Sequence, residues 1–195
     1  VTAPSGIQIA DIAAPSPNVM GGIWRAPLNT TAPIDTSTVL ATPFVSLGYV
    51  DDDGVTLNID RPSTKQYAWG GSLVAALQQH YAATFTFKLY QIVDPDVQKV
   101  IHSDANVTVT AATSTTGTIT TVKMNAVLNV NSMWVIEGYY QNVSMRLVVP
   151  NARVTQVGNF VLTHKSLAVY PATLEAFPDN NGDFVTIITD DGIHT

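Results

Sequence analysis

Asp51-Asp52-Asp53-Gly54 is the densest run of potential cation ligands in the chain. A calcium loop needs glycine at its sixth position, to turn the chain, and a bidentate glutamate at its twelfth, to complete the oxygen cage. With Gly54 sixth, the first position is Tyr49 and the twelfth is Asp60; for Asp179-Asn180-Asn181-Gly182-Asp183 they are Phe177 and Ile188. Both runs are therefore read as hairpin turns, and no metal is expected. Glu137 and Glu175 are the only glutamates and fall on segments read as strands. They leave open a glycosidase-like pair of carboxylates flanking one sugar bond; the plainer reading is two polar side chains on half-wet strands. His80, His102, His164 and His194 show no ligand spacing and are read as surface or interfacial residues. Gly70-Gly71-Ser72 lacks the lysine of a phosphate loop, and no Gly-x-Ser-x-Gly elbow occurs. Without cysteine there are no disulfides, thiolate zinc sites or thiol nucleophiles. No catalytic residue and no cofactor is expected.

Trp24, Trp69 and Trp134, with Tyr139 and Tyr140, could form a platform on which sugars stack, as in a carbohydrate-binding module or adhesin. Large aromatics in a β protein more often fill the core or a subunit interface. No basic patch is interleaved with them, which disfavours single-stranded nucleic acid as a ligand. Nine Lys and Arg against fifteen Asp and Glu give a net charge of -6. Such a chain repels phosphate and does not grip nucleic acid, although it permits DNA to pass.

These groups must be positioned by a mainly β chain. Of 195 residues, 46% are apolar and 12% charged, the latter about half the ~25% usual in soluble domains. That composition excludes disorder and supports one substantial core. Its neutral polar surface, rich in Thr, Ser and Asn, suits burial against copies of itself. No run of about eighteen apolar residues and no basic-then-apolar leader is visible, so neither a membrane partner nor export is expected, and synthesis is expected to be cytoplasmic.

Residues 1–43 read as an extended arm, because Pro4, Pro15, Pro17, Pro27, Pro33 and Pro43 interrupt every possible helix or central strand. Ile7, Ile9, Ile12, Val19, Met20, Ile23 and Trp24 make the arm too apolar for a solvated tail, so it should pack on its own domain or on a neighbour. Residues 44–195 read as the β domain. Phe85, Phe87 and Leu89 alternate with Thr84, Thr86 and Lys88; Val122, Met124, Ala126, Leu128 and Val130 alternate with polar residues. Similar runs lie at 53–60, 65–69, 106–111, 134–140, 144–149, 160–164, 167–177 and 184–188. One helix is expected at about 95–102, with Asp94 as its cap, Pro95 at its first position, and Val97, Val100 and Ile101 on one face. Eight or more strands with one helix make a β-sandwich or barrel.

Gly21-Gly22-Ile23-Trp24-Arg25-Ala26-Pro27, then Thr30, Thr31, Pro33, Leu40, Phe44 and Leu47, then Gly48-Tyr49-Val50, Asp53-Gly54-Val55 and Trp69-Gly70-Gly71, follow in an order and spacing that resembles the major tail protein of long-tailed, non-contractile bacteriophages of actinobacteria. The resemblance covers most of the chain. It implies a β-sandwich or barrel flanked by a short helix, in hexameric rings that stack, through an N-terminal arm and a long loop, into a hollow tail tube for DNA ejection. The stacking loop would fall within Asp51 to Lys65. The implied contact residues are Ile7, Ile9, Ile12, Ile23, Trp24, Asp51, Asp52, Asp53, Arg61 and Lys65, and the lumen candidates are Asp60, Asp94, Asp96, Glu137 and Glu175. The family often carries a Glu after the strand equivalent to 84–89, where this chain has Tyr90-Gln91, so no lumenal acid is carried over to that position. The implied partners are other copies of the chain, a tape measure protein, tail terminator and distal tail proteins, and double-stranded DNA in transit. The implied location is the virion tail, after assembly in the host cytoplasm. A tube subunit of a non-viral injection or secretion machine shares this architecture and stays open at this point, as does the sugar-binding module.

Overall fold

The structure, a computed structural model, describes residues 13–17 and 21–193. In chain order its strands are β1 (Ile23–Pro27), β2 (Val45–Ser46), β3 (Thr56–Asp60), β4 (Ser63–Tyr67), β5 (Leu73–Gln78), β6 (Ala82–Leu89), β7 (Val107–Thr110), β8 (Ile119–Val122), β9 (Ser132–Tyr140), β10 (Val143–Val157), β11 (Tyr170–Ala176) and β12 (Thr186–Asp190), with one α-helix, α1 (Pro95–His102), between β6 and β7. The main sheet runs β2-β1-β9-β10-β11-β6-β3, and β12 pairs with β10; β4-β5 and β7-β8 are separate hairpins.

Alternation organises the central strands. In β6, Ala83, Phe85, Phe87 and Leu89 are buried while Thr84, Thr86 and Lys88 turn the other way. Tyr170, Ala172, Leu174 and Ala176 of β11 are buried likewise, with Leu174 opposite Phe85 and Ala172 opposite Phe87. Directly opposed residues of an antiparallel pair share a face. The two strands therefore form one apolar wall and, on the reverse, one polar wall.

β10 folds the sheet onto itself. Up to Val149 it pairs with β9 and β12; from Ala152 it pairs with β11, and its register with β9 slips between Val149 and Ala152. Pro150 lies in that slip, where a residue without an N–H costs the ladder least. The chain at 49–51 then returns to β6, Asp51 N donating to Lys88 O at 3.0 Å and Tyr90 N to Tyr49 O at 3.1 Å, which closes the structure in barrel fashion. Ile23, Phe85, Leu89, Trp134, Ile136, Val149 and Leu174 fill the interior together with Val97, Val100 and Ile101 of α1. Each large apolar side chain buried there contributes about 1.5–3 kcal/mol. The fold is the expected mainly β sandwich with one short helix.

The helix begins where Asp94 accepts a hydrogen bond from Asp96 N at 2.7 Å, with Pro95 at its first position. It ends at Ser103, whose φ of 76° leaves the helical region. Asp94→Ala is expected to lower stability by about 1 kcal/mol, the usual cost of a lost cap. Urea titration would show a lower midpoint at unchanged slope.

Several expectations are corrected. Ile23–Pro27, assigned to the arm, is an internal strand between β2 and β9; Pro27 is its last residue and Pro17 precedes it, so no proline interrupts the ladder. Residues 160–164 form no strand, since no segment among the described residues pairs with them, and the alternation at 121–130 is strand only through Val122. Beyond it Asn125 exchanges side-chain amide bonds with Asn106 at 2.8 and 2.9 Å, and Lys123 N donates to Asn106 O, which draws the chain away from β7. Leu73–Gln78 is a strand that alternation does not announce.

Candidate functional site

The reverse side of β3, β6 and β11 is a polar wall. Register places Thr56 and Asn58 of β3 beside Thr86 and Thr84 of β6, and these beside Thr173 and Glu175 of β11. β10 adds Arg153 opposite Glu175 and Gln156 opposite Thr173. Asp60 closes the row at the end of β3, within 3.3 Å of the His80 ring. Hydroxyls and amides dominate, and β3 has a paired neighbour only in β6 among the described residues.

Of the acids expected to face a lumen, Asp60 and Glu175 lie on this wall. Glu137 does not. It is buried on the outward face of the other half of the sandwich, where Arg146 Nε donates to its Oε1 at 2.9 Å and Trp24 Nε1 to its Oε2 at 3.0 Å. A carboxylate so enclosed faces no channel. Asp94 caps α1 and Asp96 pairs with Lys99 at 2.8 Å, and the helix packs on the apolar side, away from the polar wall. The two glutamates point outward from opposite halves of the sandwich, so the structure does not bring them together as a catalytic pair.

The aspartate run has found a cation within the chain. Lys88 Nζ is 2.9 Å from Asp51 Oδ2 and also donates to Asp53 Oδ2, while the Tyr90 hydroxyl donates to Asp51 Oδ1. The Tyr90 bond, followed by that of Lys88, holds the Asp51 carboxyl below its usual range, and both aspartates raise Lys88. The turn is closed by Gly54 N on Asp51 O at 2.8 Å, with Gly54 at a φ of 69°. Asp179 is likewise absorbed by its own turn, accepting from the backbone N–H of Asn181 at 2.8 Å and Asp183 at 2.9 Å, which lowers its pKa, the Asp183 bond most.

The contact residues are dispersed. Ile7, Ile9 and Ile12 lie outside the described residues, as do Val19, Met20 and His194. Ile23 is wholly buried in the chain's own core and is not available to a neighbour, because β1 is an internal strand. Trp24 is half-buried over Glu137. Asp52 and Asp53 are exposed, Arg61 stacks on Tyr81 at 4.7 Å, and Lys65 projects from β4. Thr56–Asp60, inside the range assigned to the stacking loop, is sheet strand. The projecting element is instead the β4-β5 hairpin, nearly all of it exposed.

Sequence reasoning named the run at 65–69, Lys65 and Trp69 but not the hairpin they belong to. From Gln66 to Gln79 it carries no charge, yet Tyr67, Leu73, Val74 and Leu77 stand in solvent and Trp69, at the tip, is fully exposed. The signal was present as an uncharged, apolar stretch with Gly70-Gly71 in its middle. Further exposed apolar side chains, Phe160, Val161, Leu162 and Leu167, sit on the loop before β11. Scattered apolar exposure is ordinary, but a contiguous projecting apolar element marks an interaction surface. The aromatics form no sugar platform: Trp134 is core, Trp24 is bonded to Glu137, and Trp69 is on the separate hairpin. No helix among the described residues is long and apolar enough to cross a membrane.

A family model described as "Phage tail tube protein" matches residues 17–195. No curated protein matches the chain.

Proposed function

The chain belongs to the phage tail tube protein family, and from that premise we propose that it closes into rings, six subunits to a ring, that stack into the hollow tube through which DNA passes during ejection. It is a structural protein of the phage tail, and so of the virion. The observation that carries the ring and bore reading is the polar wall of Thr56, Asn58, Thr84, Thr86, Thr173 and Glu175, bounded by an edge of β3 that is unpaired among the described residues. An open edge in a monomer invites aggregation; in a ring it pairs with the next subunit. A heterologous contact that closes makes the ring, and one that does not close makes the stack.

On this reading the polar wall lines the bore. Asp51, Asp53, Asp60 and Glu175 outnumber its cations, Lys88 and Arg153, and neutral hydroxyls fill the rest. A wall of that kind offers phosphate no net counter-charge. Screening confines the repulsion to about 8–10 Å, so it acts where the duplex approaches the wall. The β4-β5 hairpin serves as the stacking element, and the segment before β1 joins it. A tape measure protein inside the growing tube, and terminator and distal tail proteins at its ends, complete the set of partners, with assembly in the host cytoplasm. No reaction is assigned to the chain.

Negative-stain electron microscopy of the concentrated protein, alone and seeded with a tail-tip complex, tests the proposal. Hollow tubes are expected. Single particles under both conditions would sink it.

A further inference from the structure

Lys88 stands within the polar wall, opposite Pro171 of β11, at the border of an open hollow of about 760 Å³ shared with Asp53, Thr56, Thr86, Gln156 and Thr173. A free ammonium there would work against passage of DNA. It is a compact point charge on a flexible four-carbon stem, and each ammonium that reaches a phosphate adds a salt-sensitive contact.

The chain ties this lysine down from both ends. Asp51 and Asp53 take its Nζ, and Asp51 is itself held by the Tyr90 hydroxyl. The loop carrying the acids is fastened to the strand carrying the lysine through Asp51 N on Lys88 O, 3.0 Å, and through the turn at Gly54. Other cations of this region are engaged as well: Arg153 lies 5.1 Å over the Phe177 ring and opposite Glu175, and Arg61 lies over Tyr81.

We propose that Asp51 and Asp53 mask Lys88, so that a passing duplex meets a wall without a free ammonium. The aspartate run is thus an internal counter-ion, and its acids act by occupying the lysine more than by repelling DNA themselves. This rests on the reading of the polar wall as the bore.

The test uses the full-length subunit and a short fluorescent DNA duplex across a salt series. Asp51→Asn/Asp53→Asn is expected to bind the duplex more tightly than the native chain, with the log K against log salt slope steeper by about 0.9, the increment of one phosphate contact. Adding Lys88→Gln returns binding to the native level. Asp190→Asn/Asp191→Asn, which changes net charge equally but lies at β12, produces no gain. Asp53→Asn alone keeps the Tyr90 bond to Asp51, should the double variant fold poorly, and gives a smaller gain of the same kind. Unchanged binding in both variants, or a gain that survives Lys88→Gln, overturns the mask. The bore reading is checked separately in assembled tubes with Thr173→Cys, expected to react with a small maleimide but not with a polymer-linked one. Labelling by the polymer reagent would remove this face from the bore, and with it the mask's role in DNA passage.

Discussion

Trp69→Ser is expected to abolish tube formation while leaving the subunit folded, with its melting temperature unchanged. The β4-β5 hairpin contributes nothing to the core, and Trp69 at its tip touches solvent alone in the subunit. Replacing it therefore removes no intrachain packing. In an assembly the same side chain is a natural anchor, because buried tryptophans at the centre of an interface typically contribute about 2 kcal/mol or more. That is a factor of about 30 in each association constant, repeated at every subunit of every ring. A two-stranded hairpin is also marginal by itself, so contact with a neighbour should order it. Sedimentation and electron microscopy read assembly, and a thermal melt reads folding. Tubes of normal yield from the serine variant would show that the hairpin tip is not an inter-subunit contact.

Arg146→Met should act in the opposite way, on folding first. Arg146 is 2% exposed, and its guanidinium divides its donors between β9 and the segment after β1. Nε donates to Glu137 at 2.9 Å, Nη1 to the Asp35 carbonyl at 2.6 Å, and Nη2 to the Thr38 carbonyl at 2.9 Å. The last two, with Ser144 Oγ on Thr36 Oγ1 at 2.7 Å, bind the segment after β1 to the outer face of β10. Methionine keeps much of the volume but leaves a buried carboxylate with Trp24 and Tyr139 in place of a cation, and two carbonyls without their Arg146 donor. Removing one partner of a buried ion pair costs about 3–5 kcal/mol, against a total stability of about 5–15 kcal/mol for a typical domain. Chemical denaturation measures the loss. Glu137→Gln in the same background should recover part of it, because a neutral amide is cheaper to bury than an unpaired carboxylate. A loss below about 1 kcal/mol would mean that water reaches the site and the pair is not buried in solution.

Some of this architecture was legible residue by residue. The Phe85, Phe87, Leu89 alternation identified β6 and its wet reverse, and Asp94-Pro95 followed by Val97, Val100 and Ile101 placed α1 where it is found. The turns at Gly54 and Gly182 were readable from their chemistry, but neither closes a hairpin, since β11 and β12 both pair with β10 and the segments flanking Gly54 both pair with β6. Glu137 was misplaced because a strand's alternation says which residues share a face and not what covers that face. Here the cover comes from residues 35–38, about a hundred positions away in the chain. β1 was missed because prolines dominate its surroundings, and the single proline inside it sits at its end.

Backbone geometry makes alternation, capping and turn chemistry local properties, so strand character, the helix and the family resemblance could be read along the chain. Pairing and covering are not local. The bend of β10 at Pro150, the capture of Lys88 by a loop more than thirty residues earlier, and the burial of Glu137 against Arg146 each depend on segments that meet only once the sheet has folded over its core. The same acid can be a solvated charge or a buried counter-ion, and the difference is set by what the fold packs against it.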